Sequence, residues 1–303
     1  NIVKPTIVFK DAVLSDKVTF QTVYDGSVLD SSVLNVTQVE SLWSDGNGTV
    51  SNPFIIKDVD DFMKIGTSEL YMSANYKLGN DIDFSGVTWS ASKFSSLKDF
   101  TGSLDGDNHV LTGISCSGSY CSIFYKTSNA VLKNFVIDNF NLVGSSSYLS
   151  SLSFFDSNST FENMIITDSV NLTGNSAFVG GLVANATNSV FHNIANYGSI
   201  TSSATISGSA AGIVAYCNGC EIYESYNYGV IDVDTGNVGG IVGLLDSNSN
   251  IQNSGYVHDV YNYGNISSSD YAGGIVGYGA NSIIQNVYNM GSYVSQNGDY
   301  GNI

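Results

Sequence analysis

Gly239-Gly240-Ile241-Val242-Gly243, followed by Asn262-Tyr263-Gly264, is one copy of a pattern that recurs along the chain. Its counterparts are Gly180-Gly181-Leu182-Val183-Ala184 with Asn196-Tyr197-Gly198, Gly212-Ile213-Val214-Ala215 with Asn227-Tyr228-Gly229, and Gly273-Gly274-Ile275-Val276-Gly277 with Asn289-Met290-Gly291. From the glycine before the aliphatic pair to the glycine closing the second block, the spacing is 17 residues in three copies and 24 in the copy at Gly240. The surplus of seven is assigned between Ile251 and Tyr261, as a loop bulging from one repeat while its neighbours stay in register.

A third block keeps the same phase. Leu132-Lys133-Asn134, Phe161-Glu162-Asn163, Phe191-His192-Asn193, Ile222-Tyr223-Glu224, Ile251-Gln252-Asn253 and Ile284-Gln285-Asn286 follow one another at intervals of 29, 30, 31, 29 and 33 residues. Each unit holds two or three short β segments separated by Gly, Asn and Ser turns, and is too small and polar to bury its own apolar face. Stacking the units remedies this. Like residues then lie above like at about 4.8 Å, giving an apolar column from Leu132 to Ile284, a second through Leu182, Ile213, Ile241 and Ile275, and an Asn column whose amides bond to one another. Paired glycines before the aliphatic column suit corners with positive φ. Propeller blades need four strands and about 40 residues or more, so the expected fold is an all-β, right-handed parallel β-helix.

Composition agrees and narrows the function. Gly reaches 32 and Pro only 2 in 303 residues, and stretches of helix formers are missing. Arginine is absent, all ten basic residues are lysines, and the last of them is Lys133. A chain of net charge -17 whose longer half has no fixed positive charge cannot neutralise phosphates. Nucleic acid is excluded as a partner, and anionic membranes and acidic polysaccharides are disfavoured. The acidity itself is read as a solubility device. There is neither a signal peptide nor a run of about 18 apolar residues, so direct membrane insertion is not expected and the chain is taken as a mature, exported part of a protein.

Four cysteines form two close pairs, Cys116 with Cys121 and Cys217 with Cys220. Local structural disulfides are expected, since Cys217-Asn218-Gly219-Cys220 lies in a turn between β segments and not at a strand-to-helix junction. Zinc would need nearby His, so no metal and no cofactor is expected. Sequons begin at Asn35, Asn47, Asn158, Asn171, Asn185 and Asn265 and point to an extracellular place.

From about Trp43 onward the chain resembles surface-protein β-helices carrying the GLUG motif, named for a Gly-Leu-x-Gly signature. The resemblance rests on the Gly-Gly-aliphatic blocks above with their Asn-x-Gly turns. It also rests on the lead-in stretches Asn52-Pro53-Phe54-Ile55-Ile56, Tyr76-Lys77-Leu78-Gly79-Asn80-Asp81-Ile82-Asp83-Phe84-Ser85-Gly86 and Phe100-Thr101-Gly102-Ser103-Leu104-Asp105-Gly106-Asp107-Asn108-His109. It implies attachment at a cell surface. Ala184 and Ala215 depart from the closing Gly, and the units at Asn134 and Asn163 lack the Gly pair. Residues 1–42 fall outside the match and are expected to form an N-terminal β cap or the end of a preceding small β-domain, with 43–303 as the helix.

Candidate chemistry is sparse. Asp81-Ile82-Asp83 and Asp232-Val233-Asp234 each place two carboxylates on one face of a strand, about 7 Å apart, which could serve a glycosidase. Turn and backbone hydrogen bonding suffices to explain such residues and is the reading preferred. Asp105-Gly106-Asp107-Asn108 reads as a tight turn, because an EF-hand loop would need a downstream Glu. His109, His192 and His258 are too scattered for a Ser-His-Asp site, with His192 facing solvent. Polysaccharide lyases of this fold need a cation beside the substrate carboxylate, and the repeats offer none beyond Lys133.

Aromatics give binding a better basis. Tyr226 and Tyr228, Tyr261 and Tyr263, and Tyr288 flank Asn227, Asn262 and Asn289. If these asparagines form an inward ladder, the tyrosines make an external strip suited to stacking on sugar rings or to a protein contact. If Asn takes a left-handed turn, some tyrosines fill the core, and this is the arrangement expected. Tyr197, Tyr226, Tyr228, Tyr256, Tyr261, Tyr263 and Tyr288 are the candidate ligand contacts, with Tyr256 in an inserted loop at Ser254 to Val260. The function expected is a non-enzymatic adhesin or surface-binding module for a glycan or surface protein. The alternatives are a glycoside hydrolase acting on a neutral polysaccharide and a structural surface-layer spacer whose coil edge packs against a neighbour.

Overall fold

The computed structural model describes residues 17–24, 27–35, 43, 45–89, 99–204, 208–246 and 255–295, the first two as backbone alone. Beyond Phe54 the protein is a parallel β-solenoid of about seven turns. One coil runs through Thr160–Ile166, Asn171–Gly174, Phe178–Gly180 and Val183–Thr187, and Val190–Asn196 opens the next. There are thus four strands per coil, where the sequence suggested two or three. Phe178–Gly180 and Val183–Thr187 are separated only by Gly181-Leu182, and strands that short leave no periodic signal of their own.

Successive coils pair strand to strand in parallel at intervals of about thirty residues, as in Phe161↔Phe191, Leu172↔Ile200, Val179↔Ala210 and Val183↔Val214. Four sheets result. The first holds 12 strands, among them Thr160–Ile166, and is called the long sheet below. The second, third and fourth hold 7, 5 and 6.

Both expected core columns are present. Leu132, Phe161, Phe191, Ile222 and Val257 are fully buried along one, and Leu182, Ile213, Ile241 and Ile275 along the other. The Phe161 and Phe191 rings stack at 4.7 Å and 5°.

The anchor asparagines shape the long strands. Asn134, Asn163 and Asn193 have φ of 61°, 54° and 53°, and Glu224, Asp259 and Asn286 occupy the same left-handed place in later coils. A residue there breaks the two-residue alternation, so Leu132 and Phe135, three apart, both face the core. Asn tolerates this conformation because its short side chain bonds locally. Here it bonds along the solenoid: Asn163 Nδ2 donates to Asn134 Oδ1 at 2.9 Å, and Asn193 Nδ2 to Asn163 Oδ1 at 2.8 Å.

Two sequence assignments change. Ile251-Gln252-Asn253 lies outside the described residues, and the anchor of that coil is Val257-His258-Asp259, with Val257 paired to Ile222. Asp adopts the left-handed conformation as Asn does, which alignment on Asn alone misses. The surplus of seven therefore sits between Asp246, paired to Asn218, and Tyr256, paired to Glu221. Second, the corner glycines 180, 181, 212, 240 and 274 do not have positive φ. They are needed for close approach: a Cβ on Gly181 would lie 1.9 Å from the Gly212 carbonyl oxygen.

Composition gave no hint of the short helices Val59–Lys64 and Glu69–Met72, which close the path from the first coil strand, Phe54–Ile56, to Asn75–Leu78. Asp58 and Ser68 cap them by accepting the Asp61 and Tyr71 amides. They bury Phe62 and Met72, and Ile65 is buried in the 3-10 turn between them, with Phe62 edge-on to Phe84 at 5.1 Å. Further upstream, Lys17–Tyr24 and Ser27–Asn35 form an antiparallel hairpin that, among the described residues, pairs only with itself.

Candidate binding face

The outer surface of the long sheet gathers most of the aromatic residues that the sequence singled out. Its orientation is set from inside. Asn196, Asn227 and Asn262 are buried, and their amides form a ladder in which Nδ2 donates to Oδ1 of the next coil at 2.7, 2.8 and 2.7 Å, ending on Asn289. The same nitrogens close each turn on Gly198, Gly229 and Gly264 carbonyls. A buried primary amide satisfied on both sides is stable in the core, whereas an unpaired one would cost about 1–3 kcal/mol. With Asn inward, strand alternation turns the flanking residues outward.

This corrects the core-filling expectation. Tyr197, Tyr228, Tyr261, Tyr263 and Tyr288 are exposed, and Tyr226 is half-buried with its hydroxyl donating to Asn193 Oδ1 at 3.2 Å. Tyr256 belongs to the strand Tyr256–Asn262 and not to a loop, so the proposed loop contact from Ser254 to Val260 is withdrawn. The insertion precedes that strand.

The rings are arranged in columns along the solenoid. Tyr197 stacks on Tyr228 at 4.8 Å and 7°, and Tyr228 on Tyr263 at 4.7 Å and 4°. Beside them Tyr226 and Tyr261 stack at 6.2 Å. Both faces of Tyr228 are therefore covered by other tyrosines. What the solvent meets is a comb of ring edges and hydroxyls, which excludes flat sugar stacking along the middle of the strip. Burial and then the neighbouring phenols push the Tyr228 hydroxyl up, keeping it a neutral donor.

A third aromatic column escaped the sequence reading. His192, Tyr223 and His258 occupy one register line, with the Tyr223 ring 4.4 Å from His192 and 5.1 Å from His258, and Tyr256 4.2 Å from His258. Carboxylates border it. His192 Nε2 is 2.8 Å from Glu224 and its Nδ1 3.7 Å from Glu162, while His258 lies 2.7 Å from Asp259 and 3.5 Å from Glu221. The hydrogen bond with His258 holds the Asp259 carboxyl down. The signal was available: these residues sit one before the anchor and so face out with Lys133 and Glu162.

The carboxylate pairs are occupied locally. Asp81 accepts the Val110 amide at 3.0 Å and meets His109 at the same distance, and Asp83 accepts the Ser85 amide at 2.8 Å. These bonds lower both carboxyls, the opposite of what a general acid requires. Asp232 accepts from the Ser267 hydroxyl. Asp107 and Asn108 have φ of 47° and 69° in a tight turn, with Asp105 accepting the Asp107 amide at 3.0 Å. One acid was missed: Asp156 is buried, accepts from Thr127 at 2.7 Å and from Ser189, and burial pushes its carboxyl up. Cys116 is joined to Cys121 and Cys217 to Cys220, at Cα separations of 5.5 and 5.9 Å. Among the described residues no group of three or more His, Cys, Asp or Glu side chains could hold a metal ion, and no helix is long and apolar enough to cross a membrane.

No family model matches the chain. A stretch of 132 residues, 41% of the chain, is 33% identical to halomucin of Haloquadratum walsbyi and spans 1% of that protein. A candidate immunoglobulin A1 protease of Bacteroides ovatus is similar in structure with a TM-score of 0.68 and 22% identity, over 84% of this chain and 80% of that one. A structure named IgA1 protease matches with a TM-score of 0.59 and 16% identity, over 91% of this chain and 22% of its own. At these identities the two structures establish a shared solenoid fold alone.

Proposed function

We propose that this chain is a secreted or surface-displayed binding module of the adhesin type, which holds a glycan against the tyrosine face of its long sheet. The observation that carries the reading is the outward set of stacked tyrosines on a rigid parallel sheet, fixed by the ladder of buried Asn196, Asn227 and Asn262 that ends on Asn289. Ring edges and hydroxyls repeating once per coil present aligned donors and acceptors, which suit a polyhydroxylated chain lying along the solenoid. Rings already stacked lose little rotamer freedom on binding, which lowers the ordering cost.

Two disulfides suit an oxidising compartment, and likeness to halomucin and to GLUG-motif surface proteins supports a place outside the cell. The names of the two structural neighbours carry proteolysis. In this chain both ring nitrogens of His192 and of His258 face carboxylates, which leaves neither imidazole a nitrogen to activate a serine or cysteine and supports binding over nucleophilic catalysis.

The test is a glycan array and polysaccharide pull-down with the purified chain, with reducing-sugar release assayed on the same ligands. Saturable binding without release, weakened at least about tenfold by Tyr228→Ala and Tyr263→Ala in variants of unchanged circular dichroism, is expected. Sugar release would overturn the reading in favour of a hydrolase. Silence in both assays would overturn it in favour of a protein partner or a structural spacer.

A further inference from the structure

We infer that the ligand of the tyrosine face is cationic, an amino-sugar polymer with free protonated amines. This rests on the glycan-binding reading above and narrows it.

Charge on the long sheet divides sharply along the solenoid. In the early coils the outward register line alternates in sign, Lys77, Asp105, Lys133, Glu162. Lys133 lies 3.4 Å from Asp105, and Lys77 2.9 Å from Asp107. After Lys133 the sequence contains no further Lys or Arg. The aromatic coils that follow carry Glu162, Glu221, Glu224 and Asp259 around the exposed rings, with side chains 37%, 45%, 64% and 48% exposed. Among the described residues the groups paired with them are two imidazoles, His192 and His258, with no lysine beside them.

Position makes these carboxylates part of the same surface. Glu224 and Asp259 occupy the left-handed anchor between the His192-Tyr223-His258 column and the Tyr226-Tyr261 column. A chain lying along the tyrosines therefore meets carboxylates at the anchors of two successive coils, Glu224 and Asp259, with Glu221 on the far side of the Tyr223 column in the same coil as Glu224. An acidic glycan is repelled there. A neutral one brings no positive charge to these carboxylates, whereas amines on successive sugars would place it beside Glu224 and Asp259. Tyr223 and Tyr228 stay neutral, so the charge of the face is that of its carboxylates.

Calorimetry with three oligosaccharides of equal length separates the possibilities: glucosamine, N-acetylglucosamine and galacturonate oligomers, at a pH where the sugar amines are protonated. The glucosamine oligomer is expected to bind about tenfold tighter than the N-acetylated one, with the gap closing at high salt. The double substitution Glu224→Gln with Asp259→Asn should remove that gap without affecting the N-acetylated ligand, and Tyr228→Ala should weaken both. Equal affinity for both, unchanged by the double substitution, overturns the charge inference and leaves glycan binding standing. Binding of the galacturonate oligomer alone also overturns it. Binding of none overturns glycan binding itself. Concentration-dependent self-association abolished by Tyr228→Ala would instead assign the face to a second copy of the chain.

Discussion

Gly212 faces Asn227 so closely that a Cβ in place of its hydrogen would lie 2.3 Å from the Asn227 Oδ1. The same pairing recurs between Gly240 and Asn262 and between Gly274 and Asn289, and more loosely between Gly181 and Asn196 at 3.3 Å. It explains why two blocks of sequence, the glycine before the aliphatic pair and the asparagine before Tyr-Gly, travel together through the repeats. The glycine leaves the space in which the buried amide ladder runs, and the ladder turns the tyrosines outward.

Gly212→Ala is therefore expected to destabilise the chain by about 1–3 kcal/mol, as an overpacked core does. Asn227→Ala should cost a similar amount, because it leaves the Asn196 Nδ2 and Asn262 Oδ1 bonds unmade. In the double variant part of the clash is relieved while the Gly240 carbonyl, 2.6 Å from the same Cβ, still opposes it. The double variant should thus lose less stability than the two single losses added together, which urea unfolding of the four proteins would show. Strict additivity would break the proposed link.

Phe161 and Phe191 stack fully buried at 4.7 Å. Truncation of Phe161 to Ala removes one ring and leaves its partner facing a cavity, at a cost of about 3–5 kcal/mol. Phe161→Leu should cost markedly less. A loss under 1 kcal/mol for the alanine variant in chemical denaturation would mean that the coils repack freely.

Two aspartates should respond to pH in opposite directions. Burial raises the Asp156 carboxyl above the unfolded value of about 3.9, so its contribution is complete below that pH and is lost as pH rises through the folded value. Asp156→Asn should then be as stable as the parent or more so near neutral pH, with its relative advantage fading in acid. Asp138 is held down by hydrogen bonds from Thr167 at 2.7 Å, Ser169 at 2.8 Å and Thr112 at 3.1 Å, so its contribution is present above about 3.9 and lost as pH falls through the folded value. Asp138→Asn should cost about 0.5–1 kcal/mol near neutrality and nothing in strong acid. Urea midpoints across the acid-to-neutral range check both signs.

The edge-on presentation of the tyrosines predicts that hydroxyls matter more than ring faces. Tyr228→Phe preserves the stack with Tyr197 and Tyr263 and should change stability by less than about 0.5 kcal/mol. Glycan affinity should nevertheless fall several-fold. Full affinity in this variant would show that the ring surfaces carry the contact.

Much of this architecture was legible in the sequence. The period of about thirty residues, the apolar columns through Leu132 and Leu182 and the surface asparagine ladder follow from the repeat, because units too small to bury their own apolar faces have stacking as their remedy. The direction in which the tyrosines face was not legible, and Asn193 and Asn196 show why. They are the same residue type, three apart in one strand, yet Asn193 is left-handed and bonds along the outer surface while Asn196 continues the strand with its amide in the core. One left-handed residue inverts the phase of everything after it, and side-chain chemistry alone does not say which asparagine takes that role. The sequence thus determined the coil, its length and what stacks on what. The tertiary structure decided which columns meet solvent, because both asparagine ladders bond from coil to coil and only the packed chain sets which of them runs inside the core and which along the surface.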